Sequence, residues 1–124
     1  NVFIHLLEWS KDMSQENHRK LNIFIKRAYQ DATPEDGYRV LIDRIWPRGR
    51  NKATLKLDQW ARDVAPSADL RKWFGHDQKR WEAFQKKYQN ELETDEKREL
   101  MRCLLTDAGD RSITLIYGAK DKRA

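Results

Sequence analysis

Arg39-Val40-Leu41-Ile42-Asp43-Arg44-Ile45-Trp46-Pro47-Arg48-Gly49 passes from a run of branched apolar residues into a basic turn marked by proline and glycine. Val40 to Ile45 reads as a strand whose near-continuous apolar character suits a sheet covered on both faces. Two further runs share that pattern: Leu21 to Ile25 before it, and Ile113 to Tyr117 after it, the latter bounded by Gly109 and Gly118. Pro34 and the pair Asp36-Gly37 mark a turn between the first two strands.

Helical material fills the interval between the second and third runs. Trp81, Phe84, Tyr88 and Leu92 recur at spacings of three and four, one stripe of a helix from about Asp77 to Glu93. Thr94 caps a second helix whose first turn carries Asp95 and Glu96, whose apolar face holds Leu100, Leu104, Leu105 and Ala108, and which Gly109 closes. Leu57 to Val64 and Leu70 to Phe74 read as shorter helical pieces, separated by Ala65-Pro66 and restarted at Ser67. Arg48 to Thr54 reads as a loop. Val2 to Trp9 is apolar enough to form a helix packed on the sheet, followed by a polar stretch from Ser10 to Lys20. The expectation is one α/β domain, with a small, mainly parallel sheet flanked by helices.

The 124 residues suffice for one domain with its own core. A single cysteine excludes a disulfide scaffold, and no apolar run reaches the roughly 20 residues that span a bilayer. A soluble protein of the cytoplasm is expected, with no membrane partner. The net charge of +5 is unevenly distributed. Residues 21–56 hold eight Lys and Arg against four Asp and Glu, and no acid occurs from Arg44 to Lys56. A local positive field of this kind points to an anionic ligand.

Ligands of open α/β sheets gather beyond the carboxyl ends of the strands. The residues leaving the three strands are Lys26 and Arg27, then Asp43 to Gly49, then Tyr117 to Asp121. Arg44 and Arg48 are suited to grip a phosphate or carboxylate in bidentate fashion, with Lys26, Arg27 and Lys120 as auxiliary cations and Tyr117 beside them. Trp46 can stack on a ligand or serve the core. Asp43, Asp121 and His76 are the proton-transfer candidates, with an ion pair to Arg44 as the plainer role for Asp43 and a loop or capping role for His76. Ser67 reads as a helix cap, and Cys103 as a buried structural thiol. The three histidines lack metal-ligand spacing, and neither a Walker loop nor a dinucleotide-binding glycine motif is present, so neither metal nor cofactor is expected. A second reading spreads the Arg44 to Lys56 cations along a nucleic acid, with Trp46 stacked on a base.

Lys26-Arg27, Asp36-Gly37, Arg39 to Gly49, Asp58 with Trp60, Ala65-Pro66-Ser67, Leu70-Arg71-Lys72-Trp73-Phe74-Gly75-His76 and Ala119-Lys120-Asp121 together resemble the DUF488 family, in its YeaO-like branch. The resemblance covers about residues 21 to 121 and implies an α/β fold without an assigned activity. It also implies a chain order. In the family, Ala-Lys-Asp is followed by a His-Asn pair and a final apolar helix, whereas here Asn1 to Trp9 matches that helix. Placing Asn1 after Ala124 restores the spacing, so a circular permutation is expected, with Ser10 to Lys20 joining the old ends near Met13. The family's histidine is then Ala124. The permuted chain is expected to be a monomer or a helix-swapped homodimer.

Overall fold

A computed structural model describes residues 2–16 and 22–118. Among them, four strands form one sheet in the spatial order β1-β4-β2-β3, every pair parallel. They are β1 (Ile23–Arg27), β2 (Tyr38–Leu41), β3 (Gln59–Trp60) and β4 (Ile113–Tyr117), with helices α1 (Phe3–Glu16), α2 (Lys52–Leu55), α3 (Ala68–Phe74), α4 (Trp81–Leu92) and α5 (Asp95–Ala108). The α/β class, parallel sheet and flanking helices agree with the sequence.

The two faces of the sheet are unequal. Alternation along β4 sends Ile113 and Leu115 into the main core with Val40, while Ile116 joins Leu41, Ala28 and Leu55 in a smaller cluster on the opposite side. Helices α1, α4 and α5 supply the main core through Leu6, Met13, Phe84, Tyr88, Met101, Leu104 and Leu105, and α1 packs on β1, α4 and α5. His5 fastens α1 to α4, its Nε2 2.7 Å from Gln85 Oε1 and its Nδ1 2.8 Å from Gln89 Nε2. On the smaller face, Asp36 is buried in a turn of 3-10 helix at Pro34–Asp36 and accepts hydrogen bonds from Lys26 Nζ (3.1 Å) and Arg39 Nη1 (2.6 Å). Gly37 follows at φ 65°, where a Cβ would collide with the Ser112 carbonyl.

Several elements differ from the sequence reading. Leu57 to Val64 is helical only at its end, a 3-10 turn at Arg62–Val64: before it, Asp58 and Ala61 donate their N–H groups to the carbonyls of Arg39 and Leu41, drawing Gln59–Trp60 into the sheet as β3. The end of the Arg48 to Thr54 loop enters α2, capped by Asn51, whose side chain accepts from the Thr54 N–H. Helix α1 continues to Glu16 through the first part of the expected linker, with Ser10 and Ser14 hydroxyls donating to the carbonyls of Leu7 and Lys11. Cys103 is exposed, not buried. The Asn1–Ala124 junction of the expected circular permutation lies outside the described residues. No helix among the described residues is long and apolar enough to cross a membrane.

Candidate functional site

At the carboxyl end of the sheet, the chain leaving β2 supplies the longest continuous stretch of one cavity's wall, Asp43 to Arg48. Its first polar residue, Asp43, is held from two directions. Trp60 in β3 donates its indole N–H to the Asp43 carbonyl at 2.6 Å, and the Gly118 N–H just beyond β4 donates to Asp43 Oδ2 at 2.5 Å. The adjacent strands thus fix both backbone and carboxylate of one residue. Gly118 suits this close approach, since a Cβ there would lie 3.1 Å from both Asp43 Oδ2 and Pro47 Cβ. Burial pushes the Asp43 carboxyl above the usual carboxylate range, against the Gly118 N–H and the positive charge of Arg71, which both favour ionisation.

The cation next in sequence to Asp43, Arg44, is positioned by a backbone carbonyl. Arg44 donates Nε–H to the Pro66 carbonyl at 2.7 Å, and its Nη1 lies 3.8 Å from Asp63 Oδ1. The Pro66 segment is itself anchored by Glu91 of α4, which accepts the Ser67 N–H at 3.0 Å and the Ser67 hydroxyl at 2.5 Å. Ser67 also caps α3, accepting the Leu70 N–H at 3.1 Å, as the sequence indicated. Arg48 is exposed, and its carbonyl accepts the Tyr29 hydroxyl at 3.1 Å. The Trp46 indole packs edge-on against Trp60, with ring centroids 5.5 Å apart, and donates its N–H to the Arg50 carbonyl at 2.6 Å.

These residues line a cavity of about 450 Å³. Asp43, Arg44, Arg48 and Arg71 are its charged groups, and Phe3, Trp46, Pro47, Pro66 and Phe84 are among its apolar ones. The combination of an apolar wall with a few convergent polar groups is that of a small-molecule site. A second cavity of about 480 Å³ adjoins it, sharing Arg44, Arg71 and Phe84, and adding Asp69, Lys72 and His76. His76 follows Gly75 at the end of α3, both with positive φ (60° and 52°).

The structure therefore brings together Asp43, Arg44, Trp46 and Arg48, and sets His76 in the neighbouring cavity. Lys26 is turned instead to Asp36 on the smaller face of the sheet. Arg27 lies beside Tyr29, its guanidinium carbon 6.0 Å from the ring centroid and its buried Nε without a hydrogen-bond partner among the described residues. The Tyr117 ring packs against Phe3 at 5.9 Å, in the core. Lys120 and Asp121 lie outside the described residues. Trp73 packs under Arg80 and Lys87, 5.1 and 4.9 Å from its ring centroid.

Arg71, Tyr29, Phe84, and Val2 and Phe3 at the start of α1, are among the cavity residues that the sequence did not point to. Arg71 stands within the Leu70 to His76 string, yet its aim toward Asp43 depends on where α3 docks. Among the described residues, no group of three or more His, Cys, Asp or Glu side chains is placed to hold a metal ion.

Residues 22–124 match a family model described as the inactive DUF488-N3 subclade. The chain is 40% identical over 101 residues to the uncharacterized protein YeaO of Escherichia coli, covering 82% of this chain and 86% of that protein. It is 45% identical over 74 residues to the uncharacterized protein Rv3073c of Mycobacterium tuberculosis and to Mb3100c of Mycobacterium bovis, a match covering 60% of this chain. The chain spans only 63% of the length of these mycobacterial relatives. No solved structure matches it. With the α/β architecture already established, the chain belongs to the DUF488 family, in the subclade described as inactive DUF488-N3.

Proposed function

We propose that this chain binds a small anionic ligand, phosphorylated or carboxylated, in the cavity beyond the strand ends, and does so without chemical turnover. The observation that carries the reading is the placement of three guanidinium groups, Arg44, Arg48 and Arg71, around one apolar-walled cavity. Guanidinium forks match the oxygens of phosphate and carboxylate, and an apolar wall strengthens each ionic hydrogen bond by excluding water. The adjoining Phe3, Trp46 and Phe84 suit an apolar or aromatic body attached to the anion. A binding role agrees with the subclade's description as inactive. It agrees also with the separation of the two described proton-transfer candidates, since Asp43 and His76 line different cavities. A cytoplasmic location, as a monomer or helix-swapped homodimer, belongs to the same proposal.

The test is a thermal-shift screen of small phosphates and carboxylates on wild type, Arg71→Ala and Arg48→Ala. A ligand at one hundred times its dissociation constant stabilises the folded state by about 2.7 kcal/mol. For a chain of this length that is a rise of about 10 °C, which both substitutions should reduce. Failure of every anion to raise the melting temperature overturns the reading. Binding of oligonucleotides alone, with affinity falling steeply with salt, would favour the Arg44 to Lys56 nucleic-acid surface instead.

A further inference from the structure

The two cavities share a wall, and that wall holds the cationic excess of both. Arg44 and Arg71 stand in that wall with Phe84; the first cavity adds Arg48 against Asp43, and the second adds Lys72 against Asp69. A ligand with one singly charged group answers only one of the two shared guanidinium groups. The other guanidinium is left for a second anionic group.

His76 is the second observation. It holds φ 60° without being glycine, immediately after Gly75 at φ 52°. A side chain in the left-handed region is strained, and such strain concentrates where a ligand-facing group must be aimed. Here it sets an imidazole in the cavity that also contains Lys72, with its ring 6.2 Å from that of Phe74. A neutral imidazole offers one N–H to an anion, and a protonated one offers two with a charge.

From this arrangement, and resting on the anion-binding reading above, we infer that the ligand carries two adjacent anionic groups, one on each side of the Arg44–Arg71 wall, with Lys72 and His76 selecting for the second. Arg48 and the apolar residues around Trp46 then receive the first group and the body attached to it. Selection takes the form of an added ionic hydrogen bond that a single anion cannot make.

Isothermal titration with orthophosphate against pyrophosphate, and acetate against succinate, tests the inference and separates phosphate from carboxylate chemistry. Wild type should bind the two-anion member of one pair at least about tenfold tighter, the size of one charge-assisted hydrogen bond. Lys72→Ala and His76→Ala should each reduce that gain, and Arg71→Ala should weaken both members of the pair. Lys86→Ala, which removes a charge from the exposed side of α4, serves as the control and should leave the gain intact. Equal affinity for the one-anion and two-anion probes, or a gain that persists in both Lys72→Ala and His76→Ala, overturns the inference while leaving the anion site standing. Absence of binding by all four probes to wild type overturns both.

Discussion

Replacing Asp36 with alanine should destabilise the fold far more than a typical surface change, because it strands buried positive charge. The Asp36 carboxylate accepts hydrogen bonds from four donor groups: Lys26 Nζ at 3.1 Å to each oxygen, Arg39 Nη1 at 2.6 Å, the Thr33 N–H at 3.0 Å and the Thr33 hydroxyl at 3.1 Å. The Arg39 side chain is 4% exposed, and its Nη2 is already unpartnered among the described residues. Its remaining bond, from Nε to the Leu55 carbonyl at 2.9 Å, cannot neutralise the guanidinium. Removing one partner of a buried pair costs about 3–5 kcal/mol, and the partial exposure of Lys26 places this case near the lower figure. Unfolding entropy for a chain of 124 residues is about 0.26 kcal/mol/K, so about 3 kcal/mol corresponds to a fall in melting temperature of about 12 °C.

The same carboxylate sets a pH dependence. Burial alone would raise the Asp36 pKa, but the Thr33 N–H, Lys26 and Arg39 outweigh it and bring the carboxyl below its ordinary 3.8. In the window below 3.8 the unfolded chain takes up the proton before the folded one. The stabilisation from Asp36 is therefore complete above pH 3.8 and lost as the pH falls through the folded value. Urea denaturation of wild type, Asp36→Ala and the double variant Asp36→Ala/Arg39→Met measures these terms together. The double variant should recover at least half of the loss, since an apolar side chain removes the stranded charge. A loss under about 1 kcal/mol in Asp36→Ala, or a double variant less stable than the single one, would refute this account of the smaller face.

Asp43 should show the opposite pH behaviour, because burial raises its pKa above 3.8. Its stabilising protonated form prevails below 3.8 and is lost as the pH rises through the folded value, so Asp43→Asn should flatten the decline in urea midpoint over that window. An unchanged slope counts against the burial argument. Phe3→Ala, at a residue 3% exposed that faces both core and cavity, should cost about 3 kcal/mol in urea denaturation; a cost below 1 kcal/mol would mean that α1 contributes little to the core. Cys103, exposed on α5 with Sγ 3.8 Å from Glu99 Oε1, should react with Ellman's reagent in the native protein as fully as in urea, whereas a thiol that reacts only after denaturation would contradict its exposure.

The apolar runs made the strands legible because burial on both faces imposes a composition that needs no tertiary information: β2 and four of five residues of β4 are buried. The caps at Ser67, Thr94 and Gly109 were legible for a similar reason, since each satisfies backbone groups a few residues away. Strand β3 was not, because two residues cannot display an alternation, and its membership rests on bonds to carbonyls of β2. The face of Cys103 was misread through Leu100. The buried stripe of α5 runs through Met101, Leu104, Leu105 and Ala108, and 100° per residue turns position 103 away from it. Strand parity bears on Lys26 as well: it shares its face with Phe24, opposite Ile23 and Ile25, and its side chain meets Asp36 there.

That unread strand has a direct bearing on the site. Without β3, Asp43 is merely the residue after an apolar run, and its carboxylate could as well answer Arg44. With β3 in the sheet, Trp60 holds the Asp43 carbonyl while Gly118 holds the carboxylate, and Arg44 is drawn aside to Pro66 and Asp63. The expected Asp43–Arg44 pair is replaced by a carboxylate bound to backbone and an arginine bound to a carbonyl. Neither group fully discharges the other. A fold that only needed to neutralise its charges would have paired these neighbours; holding them apart, with Arg71 charged nearby, leaves guanidinium capacity for an oxygen anion from outside the chain.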